Sequence, residues 1–239
     1  MKAQLLYEGK AKKIFAIEGQ ADQVLVEYKN SLTAFNALKK GEFEKKGEIN
    51  REISSLIFQY LKKNGVASHW ISDEGSMSMI VQKLQIIPLE VVVRNVLAGS
   101  TAKKLGIEEG KKLRTPLVEF YFKDDALGDP FLSDDQAMML EIATENDLQE
   151  LKKNALEINR IMLSLWKKAG IELIDFKVEF GKNTKGKILL ADEISPDCCR
   201  LWDLKTQEKL DKDRFRRDLG QIKESYEQVL NRLKEVIHA

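Results

Sequence analysis

The segment Ile171–Asp197 most constrains the fold, because it reads as two strands that carry charges where apolar packing is expected. Side chains of a strand alternate between its two faces. One face of the first strand is predicted to be apolar and comprises Ile174, Phe176, Val178 and Phe180. The opposite face begins with Ile171 and Leu173 and continues with Asp175, Lys177 and Glu179. Such a charged face is either solvated or lines a site.

The second strand of this segment, predicted over Lys187–Ile194, brings Asp192 and Glu193 alongside. Several carboxylates beside one lysine form a natural place for a divalent metal ion and phosphate. The turn between the strands, residues 181–187, matches a P-loop except that Ile188 replaces the Ser or Thr that should reach magnesium. A true P-loop opens a helix, whereas strand-like residues follow here. We therefore reject the P-loop and predict a polar hairpin turn.

The composition indicates a soluble globular protein of one domain or two closely packed lobes. Of the 239 residues, 43% are hydrophobic and 32% are charged, and the formal net charge is +1. This balance gives no bulk attraction to nucleic acid or to a membrane surface, so neither is predicted as a partner. A local basic cluster would still suffice for anionic small molecules. No segment approaches the ~18 uninterrupted apolar residues of a transmembrane helix.

The inventory of reactive side chains is narrow. Cys198 and Cys199 are the only cysteines, and their adjacency gives neither a disulfide framework nor a zinc spacing. A cytoplasmic protein is the simpler inference, and no signal peptide is expected. With only His69 and His238 as histidines, a Ser-His-Asp or Cys-His apparatus is not expected. Carboxylates, lysines, arginines and a hard metal remain, an inventory that fits phosphoryl transfer.

The predicted elements change along the chain from mostly strands to mostly helices. Strands are predicted over Leu5–Ile17 with an interruption at 8–11, over Gln23–Lys29, and over Ser78–Val93 with a break at Pro88. Helices are predicted over Gly47–Asn64, over Ala137–Ile142 and from Thr144 to Gly170 after two N-terminal caps, and over Asp213–Ile237.

This order favours an α+β fold over a regular βαβ alternation. A lobe boundary is predicted near Leu84–Pro88, where a strand meets the only proline of that region. The predicted division is a β-rich lobe at residues 1–84 and a second lobe at residues 85–239.

Three further groups of residues are candidates for chemistry, and each has a structural alternative. Residues 7–13 place Gly9 and three lysines at a strand turn, which suits phosphate, although a solvated hairpin tip is favoured for this stretch alone. Arg94 leads from an apolar strand into a Gly-Ser turn and suits an anion, or equally an edge-strand ion pair. Residues 192–203 crowd charges around a Ser-Pro turn, which is either a site or a turn anchored by Trp202.

Five motifs, in order and over nearly the whole chain, resemble the SAICAR synthetases, the phosphoribosylaminoimidazole-succinocarboxamide synthase family. They are YEGKAKKIF from Tyr7, IIPLEVVVRNVLAGS from Ile86, EFYFKDDALGDP from Glu119, LIDFKVEFG from Leu173 and ADEISPDCCRLWD from Ala191. The chain departs from the family at Asn30 and Ser31, before Thr33–Asn36, where a pair of acids is usual. An acidic role at those two positions is therefore not carried over.

The resemblance implies a fold of two lobes: an antiparallel, β-rich N-terminal lobe and a mixed α/β C-terminal lobe, with ATP in the cleft between them. It implies ATP-dependent ligation of L-aspartate to 5-amino-1-(5-phospho-ribosyl)imidazole-4-carboxylate through an acyl phosphate, in purine biosynthesis. The implied small-molecule partners are these two substrates and ATP, with Mg²⁺ as the metal.

The resemblance also implies roles for single residues. The nucleotide-binding residues would be Lys10, Lys12, Leu84 and Ile86. The substrate-binding residues would be Arg94, Ser100, Asp129, Asp197 and Arg200, with the ribonucleotide phosphate on Arg94, Ser100 and Arg200. The catalytic residues would be Lys177 and Asp175, and the metal ligands Glu179 and Asp192, the latter chosen over Glu193 on the family alone.

Two other functions are compatible with parts of this pattern. A small-molecule kinase of related fold would use the same lysines, adenine junction and carboxylates, but it would need no amine cosubstrate. A non-catalytic nucleotide-binding module is disfavoured by the row Asp175, Lys177 and Glu179, because binding alone gains little from so many desolvated charges. The assembly prediction is a homo-oligomer, with a dimer as the first candidate.

Overall fold

Two antiparallel sheets organise the molecule within residues 3–34 and 38–238, which the computed structural model describes. The strands are β1 (Ala3–Glu8), β2 (Lys12–Ile17), β3 (Gln20–Tyr28), β4 (Ser31–Ala34), β5 (Lys39–Glu42), β6 (Trp70–Glu74), β7 (Ser78–Gln82), β8 (Gln85–Val96), β9 (Lys112–Phe122), β10 (Phe131–Leu132), β11 (Ile171–Lys182), β12 (Ile188–Ala191) and β13 (Cys199–Asp203). The helices are α1 (Lys46–Lys63), α2 (Gly99–Lys104), α3 (Asp134–Met139), α4 (Glu145–Lys168), α5 (Asp213–Arg216) and α6 (Ile222–Ile237).

The first sheet has the order β1-β2-β3-β7-β6, and the second has the order β10-β9-β8-β11-β12 with β13 also paired to β11. A separate hairpin pairs β4 with β5. Helix α1 packs on the first sheet, α4 packs on the second, and α6 contacts both helices. The α+β class and the antiparallel, β-rich N-terminal part are confirmed.

Strand β11 is the centre of the second sheet, because β8 occupies one of its edges while β12 and β13 share the other. Glu179 pairs with Ala191 of β12, and Phe176 pairs with Cys199 of β13. The chain between the two short strands leaves the sheet beside Lys177, whose N–H donates to the Cys198 carbonyl at 2.8 Å. Charged residues of that loop therefore lie next to the charged row of β11.

The predicted alternation along β11 slips once. Its pairing with β13 shifts between Leu173 and Asp175, which is a β-bulge. Ile171 and Leu173 consequently join the main core with Phe176, whereas Ile174 packs in a small separate cluster. The prediction that Ile174 shares the face of the later apolar residues is wrong, because one inserted residue exchanges the two faces.

The polar hairpin at residues 181–187 is confirmed. The Asn183 side chain accepts hydrogen bonds from the N–H groups of Lys185 and Lys187, both at 3.0 Å, and strand β12 follows at Ile188. The strand is shorter than the predicted Lys187–Ile194, because Asp192 has a left-handed backbone, with φ of 58°.

The predicted break at Pro88 is wrong, because β8 runs through it and the chain breaks at Lys83 and Leu84 instead. Pro88 lies beyond the end of the β8–β9 pairing, which begins at Leu89, and opposite an irregularity in β11. Proline has no backbone N–H to donate, and it is tolerated here because neither neighbouring strand pairs with it in the regular pattern of hydrogen bonds.

The single helix predicted over Asp213–Ile237 is also wrong. Helix α5 ends at Arg216, and Gly220 and Gln221 have φ of 70° and 50° before α6 begins at Ile222. Two consecutive left-handed residues cannot continue a right-handed helix. The two predicted N-terminal caps are confirmed, and both are capping boxes, with Ser133 at the start of α3 and Thr144 at the start of α4.

Candidate active site

One cavity of about 860 Å³ lies between the two sheets. Its wall combines the turn between β1 and β2, the junction before β8, the charged row of β11 and the loop after β12. Twelve of the predicted site residues line it: Lys10, Lys12, Leu84, Ile86, Arg94, Asp129, Asp175, Lys177, Glu179, Asp192, Asp197 and Arg200.

Ammonium and carboxylate groups alternate across the centre of the cavity. Lys177 Nζ lies 2.9 Å from Glu179 Oε1, 2.9 Å from Glu90 Oε1 and 3.8 Å from Asp192 Oδ2. Lys12 Nζ contacts the carboxylates of Asp192 and Glu193. Glu179 also forms an ion pair with Lys123. Residues of β2, of β8, of β11 and of the segments after β9 and after β12 are therefore joined in one electrostatic network.

This network keeps Lys177, Lys12 and Asp192 charged. Burial disfavours the Lys177 ammonium, but Glu179, Glu90 and Asp192 outweigh it and raise the pKa of Lys177 well above its ordinary value. Burial likewise opposes the charge on Lys12, whose pKa is held high by Asp192 and Glu193. The pKa of Asp192 is lowered despite its burial, because the two lysines lie beside it. The site therefore presents fixed charges of both signs to a phosphate-bearing ligand.

A second group of charges joins two arginines through one carboxylate. Asp175 Oδ2 accepts from Arg94 Nη1 and from Arg200 Nη1, each at 2.8 Å. Arg94 is further held by Glu119, whose Oε2 is 2.6 Å from Nε, and Arg200 by Asp213 at 3.1 Å. This bridge orients both guanidinium groups at the cavity wall, an arrangement suited to an oxyanion.

Two glycines permit close approaches in this region. Gly99 has φ of 61°, and a Cβ at this position would lie 2.7 Å from Arg200 Cζ. A Cβ at Gly181 would lie 2.8 Å from Leu84 Cβ and 3.0 Å from the Gln85 carbonyl oxygen. The Arg200 guanidinium and the junction before β8 therefore both occupy space that a larger residue would fill.

Other predicted residues lie at or beyond the edge of the site. Ser100 is exposed on α2 and does not line the cavity, so its role in phosphate binding stays a prediction. Asn30 Oδ1 accepts from the Gly47 N–H at 3.0 Å, and Ser31 Oγ donates to the Lys10 carbonyl at 2.7 Å. Asn30 and Ser31, which stand where the family usually has acids, therefore each bind a backbone group of a neighbouring segment. Phe35 and Asn36 lie outside the described residues.

Sequence reasoning missed several cavity residues, and His69 is the clearest example. Its backbone joins the sheets, accepting from Gln82 N–H at 2.7 Å and donating to the Leu190 carbonyl at 2.8 Å. Burial lowers its pKa to about 4, so the imidazole is neutral at pH 7. Lys123 and Glu90 also line the cavity and were missed, although both lie inside motifs that resemble the family. The spacing of residues along the chain does not show which strand faces meet in the folded protein.

The central carboxylates suit a hard cation by their chemistry. Glu179 and Asp192 offer oxygen ligands, and Mg²⁺ is commonly bound by one or two carboxylates together with substrate phosphates. Among the residues that the structure describes, no cluster of three or more His, Cys, Asp or Glu is arranged to hold a metal. A two-carboxylate set fits a metal that shares its remaining positions with phosphate and water.

None of the helices in the described ranges combines the length and apolar content that a membrane crossing requires. Cys198 and Cys199 are both free thiols, the first half-buried and the second buried.

Comparison with known proteins gives a consistent result over the whole chain. The family model for SAICAR synthetase matches residues 5–233. A phosphoribosylaminoimidazole-succinocarboxamide synthase of Listeria innocua is 52% identical over 236 residues, which are 99% of each chain. A crystal structure of this synthase from Ehrlichia chaffeensis has a TM-score of 0.94 at 41% identity and covers 97% of this chain and 98% of its own. A SAICAR synthetase solved in complex with ADP has a TM-score of 0.93 at 44% identity, covering 98% of both chains. The chain therefore belongs to the SAICAR synthetase family.

Proposed function

We propose that this chain is an ATP-dependent carboxylate-amine ligase. It joins L-aspartate to 5-amino-1-(5-phospho-ribosyl)imidazole-4-carboxylate and yields SAICAR, ADP and phosphate in purine biosynthesis. The family membership supports this activity, and a relative of 44% identity is known in complex with ADP. The observation that carries the proposal is the cavity in which the lysine and carboxylate network adjoins the paired arginines.

The reaction proceeds in two steps. An oxygen of the imidazole carboxylate attacks the γ-phosphorus of ATP, the bond to the bridging oxygen breaks, and ADP leaves. The amine of aspartate then attacks the acyl carbon, phosphate leaves with the bonding electrons, and the nitrogen loses a proton. Neither step needs a histidine or cysteine nucleophile; the protein positions the reactants and balances their charge.

The nucleotide end is assigned to the turn between β1 and β2 and to the junction before β8. Lys10 and Lys12 approach the phosphates, and backbone groups of Leu84–Ile86 meet adenine. The short separation between this junction and Gly181 supports the second assignment, because it fixes the backbone groups in place. We place the lobe boundary here too, with residues 1–84 in the nucleotide-binding lobe and 85–239 in the substrate lobe.

The acceptor end is assigned to the arginine pair and the neighbouring carboxylates. Arg94, Arg200 and Ser100 bind the ribonucleotide phosphate, while Asp129 and Asp197 contact substrate. Lys177 neutralises charge near the reacting carboxylate, a role supported by its three carboxylate neighbours. Asp175 keeps the two guanidinium groups oriented, which supports its part in catalysis without direct proton transfer.

Glu179 and Asp192 are the proposed magnesium ligands. When bound, the metal supplies neutralisation of phosphate charge and polarisation of the phosphoryl group. Their interaction with Lys177, at 2.9 Å and 3.8 Å, supports a shared cation-binding role for the two carboxylates. We also propose a cytoplasmic location, which two free thiols support. A homo-oligomer, with a dimer as first candidate, stays a prediction.

The deciding experiment measures ADP release with ATP, magnesium and the aminoimidazole carboxylate ribonucleotide, with and without L-aspartate. Aspartate-dependent release with a matching succinocarboxamide product is the expected result. The kinase alternative is not favoured, and it would give ADP release that is indifferent to aspartate. An absence of any release would favour the non-catalytic nucleotide-binding module and contradict the ligase.

A further inference from the structure

Lys46 is a lysine with an unusual place in the fold. It is only 1% exposed, and it is the first residue of α1. Lysine is rarely buried to this degree without a partner, and a positive charge at a helix N-terminus is disfavoured by the helix dipole. Burial and the helix dipole both disfavour a positive charge at this position. A specific interaction must therefore stabilise the ammonium group of Lys46.

That interaction is with Asp197, a residue of the cavity wall. Lys46 Nζ lies 2.5 Å from Asp197 Oδ2, and the Tyr226 hydroxyl donates to Asp197 Oδ1 at 2.7 Å. Tyr226 is fully buried on α6, with its ring edge-on to Phe43 at 5.3 Å. Both oxygens of the carboxylate are thus engaged by residues from two different helices.

The electrostatic surroundings act in the same direction. Burial would raise the pKa of Asp197, but Lys46 and then Lys212 outweigh it and hold this pKa below its ordinary value. Burial chiefly raises the pKa of Tyr226, and the negative charge of Asp197 raises it further, so the phenol stays protonated and able to donate. Asp211 and Arg216 are the other charged groups that act on Tyr226.

We propose that Lys46 and Tyr226 are positioning residues that fix the Asp197 carboxylate as an acceptor for an N–H group of the amine-bearing substrates. The two substrates that the enzyme joins, the aminoimidazole ribonucleotide and L-aspartate, each carry an amine. This inference rests on the proposed function for the identity of those substrates. It assigns the two helices α1 and α6 a direct part in shaping the acceptor end of the cavity.

The first test compares Tyr226→Phe and Lys46→Met with the wild type. Tyr226→Phe removes one hydroxyl and keeps the packed ring, so the protein is expected to fold. We expect kcat/KM for the amine-bearing substrates to fall about 10- to 100-fold, as for a lost hydrogen bond to a charged group. The KM for ATP should stay within about twofold, because the nucleotide end is separate. Unchanged kcat/KM for the amine-bearing substrates would overturn the proposal.

A double variant separates positioning from simple stabilisation. Lys46→Met leaves a buried carboxylate without its cation, which destabilises a fold strongly. Adding Asp197→Asn removes that unpaired charge and is expected to restore the Tm while kcat/KM stays low. Recovery of kcat/KM together with the Tm would show that Asp197 matters for stability only.

Arg232→Met is the matched control on α6. Arg232 lies outside the cavity and pairs with Asp203 at 2.7 Å, so its loss should lower the Tm and leave kcat/KM unchanged. A similar fall of kcat/KM in this variant would mean that any weakened α6 produces the effect, and the proposal would be wrong.

A measurement independent of turnover keeps this inference distinct from the proposed activity. The Asp197 carboxyl carbon is followed by ¹³C NMR, with Asp197→Asn for assignment. Between pH 5 and 8 we expect no titration in the wild type and a titration in Lys46→Met, because burial raises the carboxyl pKa once the ion pair with Lys46 is lost and only the charge of Lys212 remains to oppose it. Titration of Asp197 in this window in the wild type would overturn the inference, whether or not the ligase assay succeeds.

Discussion

Glu179 shows how a single buried carboxylate can balance several cations. Its side chain is 4% exposed and pairs with both Lys177 and Lys123. A buried charge with two partners is costly to change, because the partners would be left uncompensated. The proposed metal ligand is therefore also a structural member of the network, and its replacement needs a readout that separates the two contributions.

Glu179→Gln keeps the shape of the side chain and removes its charge. We expect turnover to fall by about 100-fold or more through weakened magnesium binding, since a carboxylate binds the metal far better than an amide. The check is the magnesium dependence of ADP release, with Glu109→Gln, outside the cavity, as control. Wild-type activity of Glu179→Gln in saturating magnesium would remove this residue from the metal site.

Gly99→Ala tests whether the position of Arg200 matters for the ribonucleotide phosphate. The new Cβ would meet the guanidinium, with 2.7 Å to Cζ, and displace it. We expect KM for the ribonucleotide to rise about tenfold, equivalent to roughly 1.4 kcal/mol of binding. Gly106→Ala is the matched control, because Gly106 has φ of 62° and nothing within 4 Å of its Cβ position. Equal KM values in both variants would contradict the role of Arg200.

At the scale of elements, α4 is the helix best described by its own sequence. Thr144 Oγ1 accepts from the Asp147 N–H at 3.2 Å, and Asp147 Oδ2 accepts from the Thr144 N–H at 3.1 Å. Its buried residues recur at helical spacing and pack on the second sheet. Such a helix needs little help from distant parts of the chain to begin at the right residue.

Thr144→Ala should lower the free energy of unfolding by about 1 kcal/mol, because it removes the N-cap acceptor. Catalysis should not change, since α4 lies behind the sheet and contributes no residue to the cavity wall. Urea unfolding and kcat/KM are the two measurements. Glu150→Ala, exposed on the same helix, is the control and should change stability by less than about 0.5 kcal/mol. A loss of activity in Thr144→Ala would contradict this separation of stability from function.

At the scale of the whole molecule, ionisation of Asp211 links stability to pH. Asp211 is fully buried, and burial together with the nearby Asp213 raises its pKa to about 7. Its oxygens accept from the N–H groups of Leu201 at 2.8 Å and Asp213 at 2.7 Å. The folded state therefore holds a proton that the unfolded chain releases near its ordinary carboxyl pKa.

Because the folded pKa of Asp211 is raised, its contribution to stability is greatest at low pH and declines as pH rises toward about 7. Asp213, whose pKa is lowered to about 2 despite burial because of Arg200 and Arg216, loses its stabilising effect only at much lower pH. Between pH 5 and 8 we expect a decline on the order of 2 kcal/mol from Asp211. Urea unfolding of the wild type and Asp211→Asn checks this: the variant should lose that slope, and identical slopes would contradict it.

The sequence determined much of the local structure of this protein. The capping boxes at Ser133 and Thr144, the hairpin at Asn183 and the interruption after Glu8 follow from interactions within a few residues. The family and the charged row of β11 could also be predicted from the sequence. Both depend only on which residues occur and in which order along the chain. Two of the wrong predictions, at Ile174 and over Asp213–Ile237, concern a bulge and a left-handed turn that no local periodicity encodes. The third, the break at Pro88, depends on which edge of β8 is paired at that residue.

Only the tertiary structure decided which side chains meet. Asp175 bridges Arg94 and Arg200, residues 81 and 25 positions away, and Asp197 meets Lys46 across 151 positions. Such contacts depend on sheet order, on register and on the bulge in β11, each of which is set by long-range packing. The charged residues that the chemistry needs can be identified from the sequence. Which of them form ion pairs, and how their pKa values shift as a result, depends on the packing of two sheets and three helices.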